Sequence, residues 1–252
     1  MLFPSRFEDV VKILAWNLNH RAARRRIPGW ISSAIESVSP DVAVLTEYVE
    51  GADHTRFVSD LASIGLSHVS TSDQVKGQNQ ILIASRVSHA KGSLVAPSLH
   101  PAIPPNAHHV VLTESGINVL GFRMPVFTEP GTRGLKRSTW EWLLQAADFL
   151  RAEPAVVAGD FNTAVTDAAT HCGDCMAQLI GTGWAHALPE SGSSFRHQSS
   201  GSERAIDHAF VSPRLALKSY EYSWSFQDSA PEARSPKVGI PDHAMLIVKF
   251  AA

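Results

Sequence analysis

Short apolar runs that stop at an amide or a carboxylate recur along this 252-residue chain, and they restrict it to a sheet-based fold with polar strand ends. A short apolar run bounded by turn residues reads as a buried strand. Lys12–Asn17, Asp41–Leu45, Ile81–Ser85, Ile117–Phe122, Ala155–Ala158, Ala205–Val211, Ser219–Ser225 and Ala244–Phe250 fit that reading. Helical spacing marks Arg21–Val38, which stops before Pro40, then Asp53–Ile64, Leu135–Leu150 before Pro154, and a short helix near Met176–Ile180. Val95–Asn106, with Pro97, Pro101, Pro104 and Pro105, reads as loop and strand edge; Ser191–Ser202 and Gln227–Pro241 read as polar loops. No repeat, linker or composition break divides the chain. One α/β domain over residues 1–252 is expected.

A hydrophobic fraction of 44% and a charged fraction of 18% are those of an ordinary soluble globular protein, and this length can bury a core without a staple. Cys172 and Cys175 lie too close together to form a disulfide framework, which fits a reducing compartment. The opening residues carry Arg6, Glu8, Asp9 and Lys12 rather than an apolar stretch, and no apolar run is long enough to span a bilayer. A cytoplasmic protein without a membrane partner is expected, and nothing in the sequence marks an obligate protein partner. The net charge of −2 does not advertise polyanion binding. Two basic clusters do stand out: Arg21, Arg24, Arg25 and Arg26, and then Arg133, Lys136 and Arg137. Each reads either as a solvated helix face or as a phosphate-contacting patch. Their position relative to the chemistry decides.

A buried strand that ends in a polar residue delivers that group to the rim of a sheet, where ligands bind. KILAWN ends at Asn17, with Asn19 next on the same side; VAVLTE ends at Glu47; AVVAGDFN ends at Asp160 and Asn162, on one face at a period of two. Asp207 lies within AIDHAFVS, and Asp242–His243 opens the last strand. Singly, such residues are common turn formers and caps. Glu47 resists that reading, because a carboxylate after an apolar run needs a cation or donors beside it. Phosphodiester cleavage uses such a set: a cation for developing charge, a base for water, and donors for the nonbridging oxygens. Hard cations such as Mg²⁺ take carboxylates, waters and phosphate oxygens, and a His paired with an Asp makes an oriented acid, base or phosphate donor.

In order, W-N-x-N (Trp16–Asn19), L-T-E (Leu45–Glu47), G-D-F-N (Gly159–Asn162), I-D-H (Ile206–His208) and P-D-H (Pro241–His243) resemble the endonuclease/exonuclease/phosphatase superfamily. That group includes apurinic endonucleases, pancreatic-type deoxyribonucleases, neutral sphingomyelinases and inositol polyphosphate 5-phosphatases, and the likeness runs from residue 12 to 250. The resemblance implies a four-layered α/β sandwich of two packed mixed sheets flanked by helices, with a Mg²⁺ or Mn²⁺ site at one end. It implies Glu47 as principal metal ligand, with Asn17 and Asp242 beside it. It makes Asp160 the residue that orients or deprotonates water, Asn162 a holder of water and phosphate, and Asp207 the partner of a phosphate-contacting His243. Asn79 in Gln78–Asn79 is a weaker match to a phosphate-side motif. Asn19 stands where apurinic endonucleases often carry Asp. Arg123 stands where many relatives carry His or Tyr, and it reads either as a phosphate donor or as a rim residue in a salt bridge.

Arg21 and Arg24 begin two residues beyond Asn19, close enough to meet further phosphates. Trp16 and Trp30 could stack bases, with core packing the stronger reading for Trp16. His171, Cys172 and Cys175 lack a second ligand pair at zinc-finger spacing and read as structural thiols. The expected function is a Mg²⁺-dependent nuclease on DNA or RNA. The alternative is a phosphatase or a phospholipid or inositol-phosphate phosphoesterase of the same fold. A non-catalytic binding module is disfavoured by the intact polar set.

Overall fold

Alternation along the strands builds the layers. In β1 (Val11–Asn17), Ile13 and Ala15 belong to one apolar cluster while Leu14 and Trp16 belong to another. A strand apolar on both faces must be covered on both faces. The chain is described by a computed structural model over residues 10–19, 27–74, 78–97, 106–126, 132–197, 199–229 and 241–251. β1, α1 (Trp30–Val38) and β2 (Val42–Tyr48) form a first strand–helix–strand unit. α2 (His54–Ser63) leads to β3 (His68–Thr71), β4 (Gln80–Ser85), β5 (His89–Lys91) and β6 (Ala107–Leu112). β7 (Asn118–Arg123), α3 (Thr132–Leu150) and β8 (Ala155–Asp160) form a second unit. Then come α4 (Gly173–Gly181), β9 (Ala185–His186), β10 (Phe195–Arg196), β11 (Glu203–Arg204), β12 (Asp207–Val211), β13 (Ala216–Ser223), α5 (Phe226–Ser229) and β14 (Met245–Ala251).

One six-stranded sheet runs β13-β14-β1-β2-β4-β3 and the other β5-β6-β7-β8-β12-β9, with β10-β11 as a separate hairpin. β1–β2 and β7–β8 are the parallel pairs, each joined by its crossover helix; the remaining pairs are antiparallel. Both sheets are therefore mixed, and α1, α2, α3 and α4 flank them. The inner cluster takes Ile13, Val44, Ile83, Val119, Val156 and Val248 from facing sheets. An outer cluster joins Leu14, Trp16 and Leu45 to Ile31, Phe57 and Phe226. The other joins Leu120, Phe122 and Val157 to Trp140, Leu143 and Met176. Each fully buried large side chain of this kind contributes roughly 1.5–3 kcal/mol. The four-layered sandwich expected from the sequence is the observed fold.

Some boundaries differ from expectation. The helix read over Arg21–Val38 starts at Trp30, and residues 20–26, including Arg21 and Arg24, lie outside the described residues. Ser191–Ser202, read as a polar loop, holds β10, because two-residue strands of polar sequence carry no periodic signal. β3, β5 and β6 were not anticipated; β6 reads AHHVVL, without clean alternation. No helix among the described residues is long and apolar enough to cross a membrane.

Burial holds several histidines neutral: His108 and His186 are pushed down to about 4 and His208 to about 3. His208 Nε2 lies 2.9 Å from the Thr163 carbonyl, which only accepts, so the proton is on Nε2. Its Nδ1 then accepts from His186 Nε2 at 3.1 Å. Between these values and the unfolded value near 6.5, the unfolded chain binds protons that the folded chain does not, so falling pH favours unfolding. Denaturant titrations should show stability falling from pH 6.5 toward pH 4 by up to roughly 1.4 kcal/mol per pH unit for each such residue. His208→Gln should flatten that slope by about one proton's share. An unchanged slope in the folded variant would refute the assignment.

Candidate active site

Each strand–helix–strand unit ends its two parallel strands on polar residues at the same end of the sandwich. In the first unit these are Asn17 and Glu47; in the second, Arg123 and Asp160. Period two extends the inner-facing sets Ile13–Ala15, Val119–Gly121, Val156–Ala158 and Ala209–Val211 to Asn17, Arg123, Asp160 and Asp207. The polar ends therefore close the mouth of the inter-sheet layer. A Cβ at Gly121 would meet Ile81 Cγ2 and Val44 Cγ1 at 2.9 Å, so the sheets approach closely directly below Arg123. That approach brings Arg123 across to Glu47 on the opposite sheet.

Glu47 reaches the rim through a bulge. β2 and β4 pair Leu45 with Leu82 and Tyr48 with Gln80, leaving one more residue on β2 than on β4. Glu47 takes φ 53° there, a left-handed conformation that costs energy outside glycine and asparagine. Its Oε1 accepts from Arg123 Nε at 2.8 Å and Nη2 at 2.6 Å. Burial opposes the ionised carboxyl most strongly, but Arg123, His243 and Asn17 together outweigh it and leave Glu47 below its ordinary range. The same pairing, with Asp160, holds Arg123 above its usual value against the cost of burial.

The GDFN turn is fixed from every side. Gly159 takes φ 145°, where a Cβ would lie 1.9 Å from the Phe122 carbonyl oxygen. Asp160 Oδ1 accepts from the Asn162 backbone N–H at 2.9 Å, and Oδ2 accepts from Asn17 Nδ2 and Asn162 Nδ2, each at 3.0 Å. Asn162 Nδ2 also donates to the Met124 carbonyl. Lys136, only 1% exposed, donates to the Asn162 carbonyl at 2.7 Å, and burial pulls its pKa down. Lys136 therefore supports the turn from below rather than belonging to a solvent-facing basic patch. Arg137 is likewise engaged, with Asp174, the Ala169 carbonyl and Cys175 Sγ. Cys172 and Cys175 are buried free thiols.

Opposite Asp160 stands the Asp207–His243 couple. His243 Nδ1 lies 2.7 Å from Asp207 Oδ2, its carbonyl accepts from Trp16 Nε1, and its ring centre is 5.0 Å from Phe195. Burial disfavours the imidazolium, yet Asp207, Asp160 and Asp242 outweigh it and push His243 up to about 10. Asp160 is raised to about 6, chiefly by burial, with Asp207 adding to it and His243 opposing. Asp242 is raised by burial. It accepts from Asn19 Nδ2 at 3.1 Å and lies 3.9 Å from His243 Nε2. The uncharged Asn19 thus links Asn17 to Asp242, since its own backbone N–H donates to Asn17 Oδ1.

Asp160, Asp207 and His243 form the one group among the described residues whose ligand atoms lie mutually within 4.8 Å. With His243 protonated on Asp207, that trio suits proton handling better than metal holding. A charge count shows where a metal fits. Glu47, Asp160, Asp207 and Asp242 meet Arg123 and His243 and, more weakly at Asp160, Lys136 among the described residues. The carboxylates outnumber these cations, so the centre carries an excess of negative charge that a divalent ion offsets. Glu47, Asn17 and Asp242 carry oxygen atoms of the hard kind that suit a divalent ion.

Two expected residues stand apart from this network. Asn79 precedes β4 at the same end, and its buried Oδ1 has no partner among the described residues. Trp30, read as a possible base stacker, is stacked on Phe226 at 5.9 Å beside the buried Trp16. Sequence reasoning missed Phe195 and Gly121 and read Lys136 only as part of a basic cluster; the position of Gly121 two before Arg123 on the inner face could have drawn notice.

Similar folds occur among solved structures. An AP endonuclease from Archaeoglobus fulgidus has a TM-score of 0.74 at 18% identity, covering 94% of this chain and 98% of that one. The 3′ phosphatase NExo from Neisseria bound to a product DNA hairpin has a TM-score of 0.71 at 20% identity, covering 95% and 99%. TDP2 from C. elegans has a TM-score of 0.67 at 13% identity, covering 98% and 77%. None of the curated proteins compared with the chain matches it. The sequence profile described as Endonuclease/Exonuclease/phosphatase family matches residues 14–235. With that match over most of its length, the chain belongs to the Endonuclease/Exonuclease/phosphatase family of phosphoester hydrolases.

Proposed function

We propose that this protein is a divalent-metal-dependent phosphodiester hydrolase acting on nucleic acid, DNA or RNA. The observation that carries the chemistry is the meeting of Asp160 and Asn162 with the Asp207–His243 couple in a buried centre of excess negative charge. Glu47, Asn17 and Asp242 would hold a divalent ion, which would supply charge neutralisation at the phosphoryl group. Asp160 holds the attacking water and takes its proton; Asn162 Nδ2 and Asn17 Nδ2 fix the carboxylate that does so. His243, kept charged by Asp207, donates to a phosphate oxygen across the site. The nucleic-acid reading is supported by the likeness to an AP endonuclease and to a DNA-bound 3′ phosphatase.

The test is a substrate panel: supercoiled plasmid, abasic duplex, single-stranded DNA and RNA, an inositol phosphate and sphingomyelin, each with Mg²⁺, Mn²⁺ or EDTA. Cleavage of at least one nucleic acid with metal, abolished by EDTA, is expected. Turnover of only the inositol phosphate or sphingomyelin would replace the substrate class and leave the chemistry standing. Full activity in EDTA would remove the metal.

A further inference from the structure

We infer that Arg123 and the divalent cation compete for one seat on Glu47, so that loading the metal releases a bidentate donor for the substrate phosphate. The inference rests on the metal-dependent reading above and deepens it. Arg123 Nε and Nη2 both converge on the same oxygen, Glu47 Oε1, at 2.8 and 2.6 Å. Its Nε lies a further 4.0 Å from Asp160 Oδ2. One guanidinium thus sits between the carboxylate of the first strand–helix–strand unit and that of the second, where a bound cation has to act. The pair is largely buried, with 13% and 15% of the side chains exposed, so water does little to screen one cation from another.

The backbone at Arg123 cannot yield. Its N–H donates to the Asn106 carbonyl, it is in register with Asp160, and Gly121 packs the sheets together beneath it. The side chain can move, because an arginine head swings several ångströms on its rotatable stem. A cation arriving at Glu47 repels the guanidinium from Oε1, and the planar fork then matches the nonbridging oxygens of a phosphate. Tyr at this position could hold phosphate but has no positive charge for Glu47 in the metal-free protein, and His has one only when protonated. By linkage, any phosphate that draws Arg123 away must tighten metal binding by the same factor.

Calorimetric titration of Mg²⁺ and Mn²⁺ into wild type and Arg123→Gln tests this, with and without inorganic phosphate. Arg123→Gln should bind metal about tenfold more tightly, as expected when one charge-assisted competitor is removed. Inorganic phosphate should tighten metal binding in wild type and do nothing in Arg123→Gln. The Arg123 Nε–H resonance of wild type should shift as Mg²⁺ is added, reporting departure from Glu47. Unchanged or weaker metal affinity in folded Arg123→Gln overturns the exchange, and so does an Nε–H resonance that ignores Mg²⁺. If Arg123→Gln fails to fold, the Arg123 Nε–H resonance of wild type still reads the exchange, and a resonance that stays on Glu47 as Mg²⁺ binds overturns it. Wild type that binds no divalent cation overturns the metal-dependent reading and the exchange together. Wild type that binds metal with the affinity of Arg123→Gln overturns the exchange alone.

Discussion

Replacing either Asp207 or His243 by alanine is expected to lower turnover by about 10³-fold, and replacing both should cost little more than replacing one. The 2.7 Å contact makes the two a unit: Asp207 fixes the ring through Nδ1 and keeps it charged, so His243 without Asp207 is misoriented and more easily deprotonated. A double-mutant cycle on kcat/KM checks this, and independent multiplicative losses would show that the residues act separately. The pH profile adds a second check. Activity should rise as Asp160 loses its proton near pH 6 and fall as His243 loses its own near pH 10. Asp207→Asn should move the alkaline limb downward, since the charge that raises His243 is gone. An alkaline limb that stays in place would assign it to another group.

Glu47→Gln is expected to remove most metal binding and to lower turnover by roughly 10³-fold or more under saturating substrate. The amide keeps the shape but halves the donors' charge contest: it offers one neutral oxygen where Glu47 offers two charged ones. It also leaves Arg123 without its partner 2.6 Å away, so the variant should lose stability as well as metal. Calorimetry with Mg²⁺ separates the two effects from misfolding when circular dichroism is run alongside. A folded Glu47→Gln protein with wild-type Mg²⁺ affinity would move the metal to Asp160 or Asp242.

Much of the frame was legible because the central strands of both sheets are buried on both faces. KILAWN, VAVLTE and AVVAGD are near-continuous apolar runs, and a run that stops at a polar residue announces a strand and its rim together. β6 escaped because His108 and His109 interrupt it, and the hairpin β10–β11 because its sequence is polar. The candidate site was legible as a set of strand ends, but its pairings were not. Arg123 and Glu47 are 76 residues apart, and only the packing of one sheet on the other at Gly121 brings them together. Lys136 misled for the opposite reason: neighbouring Arg133 and Arg137 made it look like part of a wet surface, whereas its position on α3 turns it inward onto the Asn162 carbonyl.

β1 lies beside β14, and Trp16 Nε1 reaches the His243 carbonyl across 227 residues of sequence. Closing that pairing is among the most non-local steps this topology demands, and such steps come late and slowly in folding. During synthesis the segments bearing Glu47 and Asp160 leave the ribosome well before the segment bearing His243. A nascent chain therefore holds its carboxylates without the imidazolium that completes them. The centre is complete only once β14 has docked beside β1, so its chemistry is coupled to one of the most non-local pairings in the described fold.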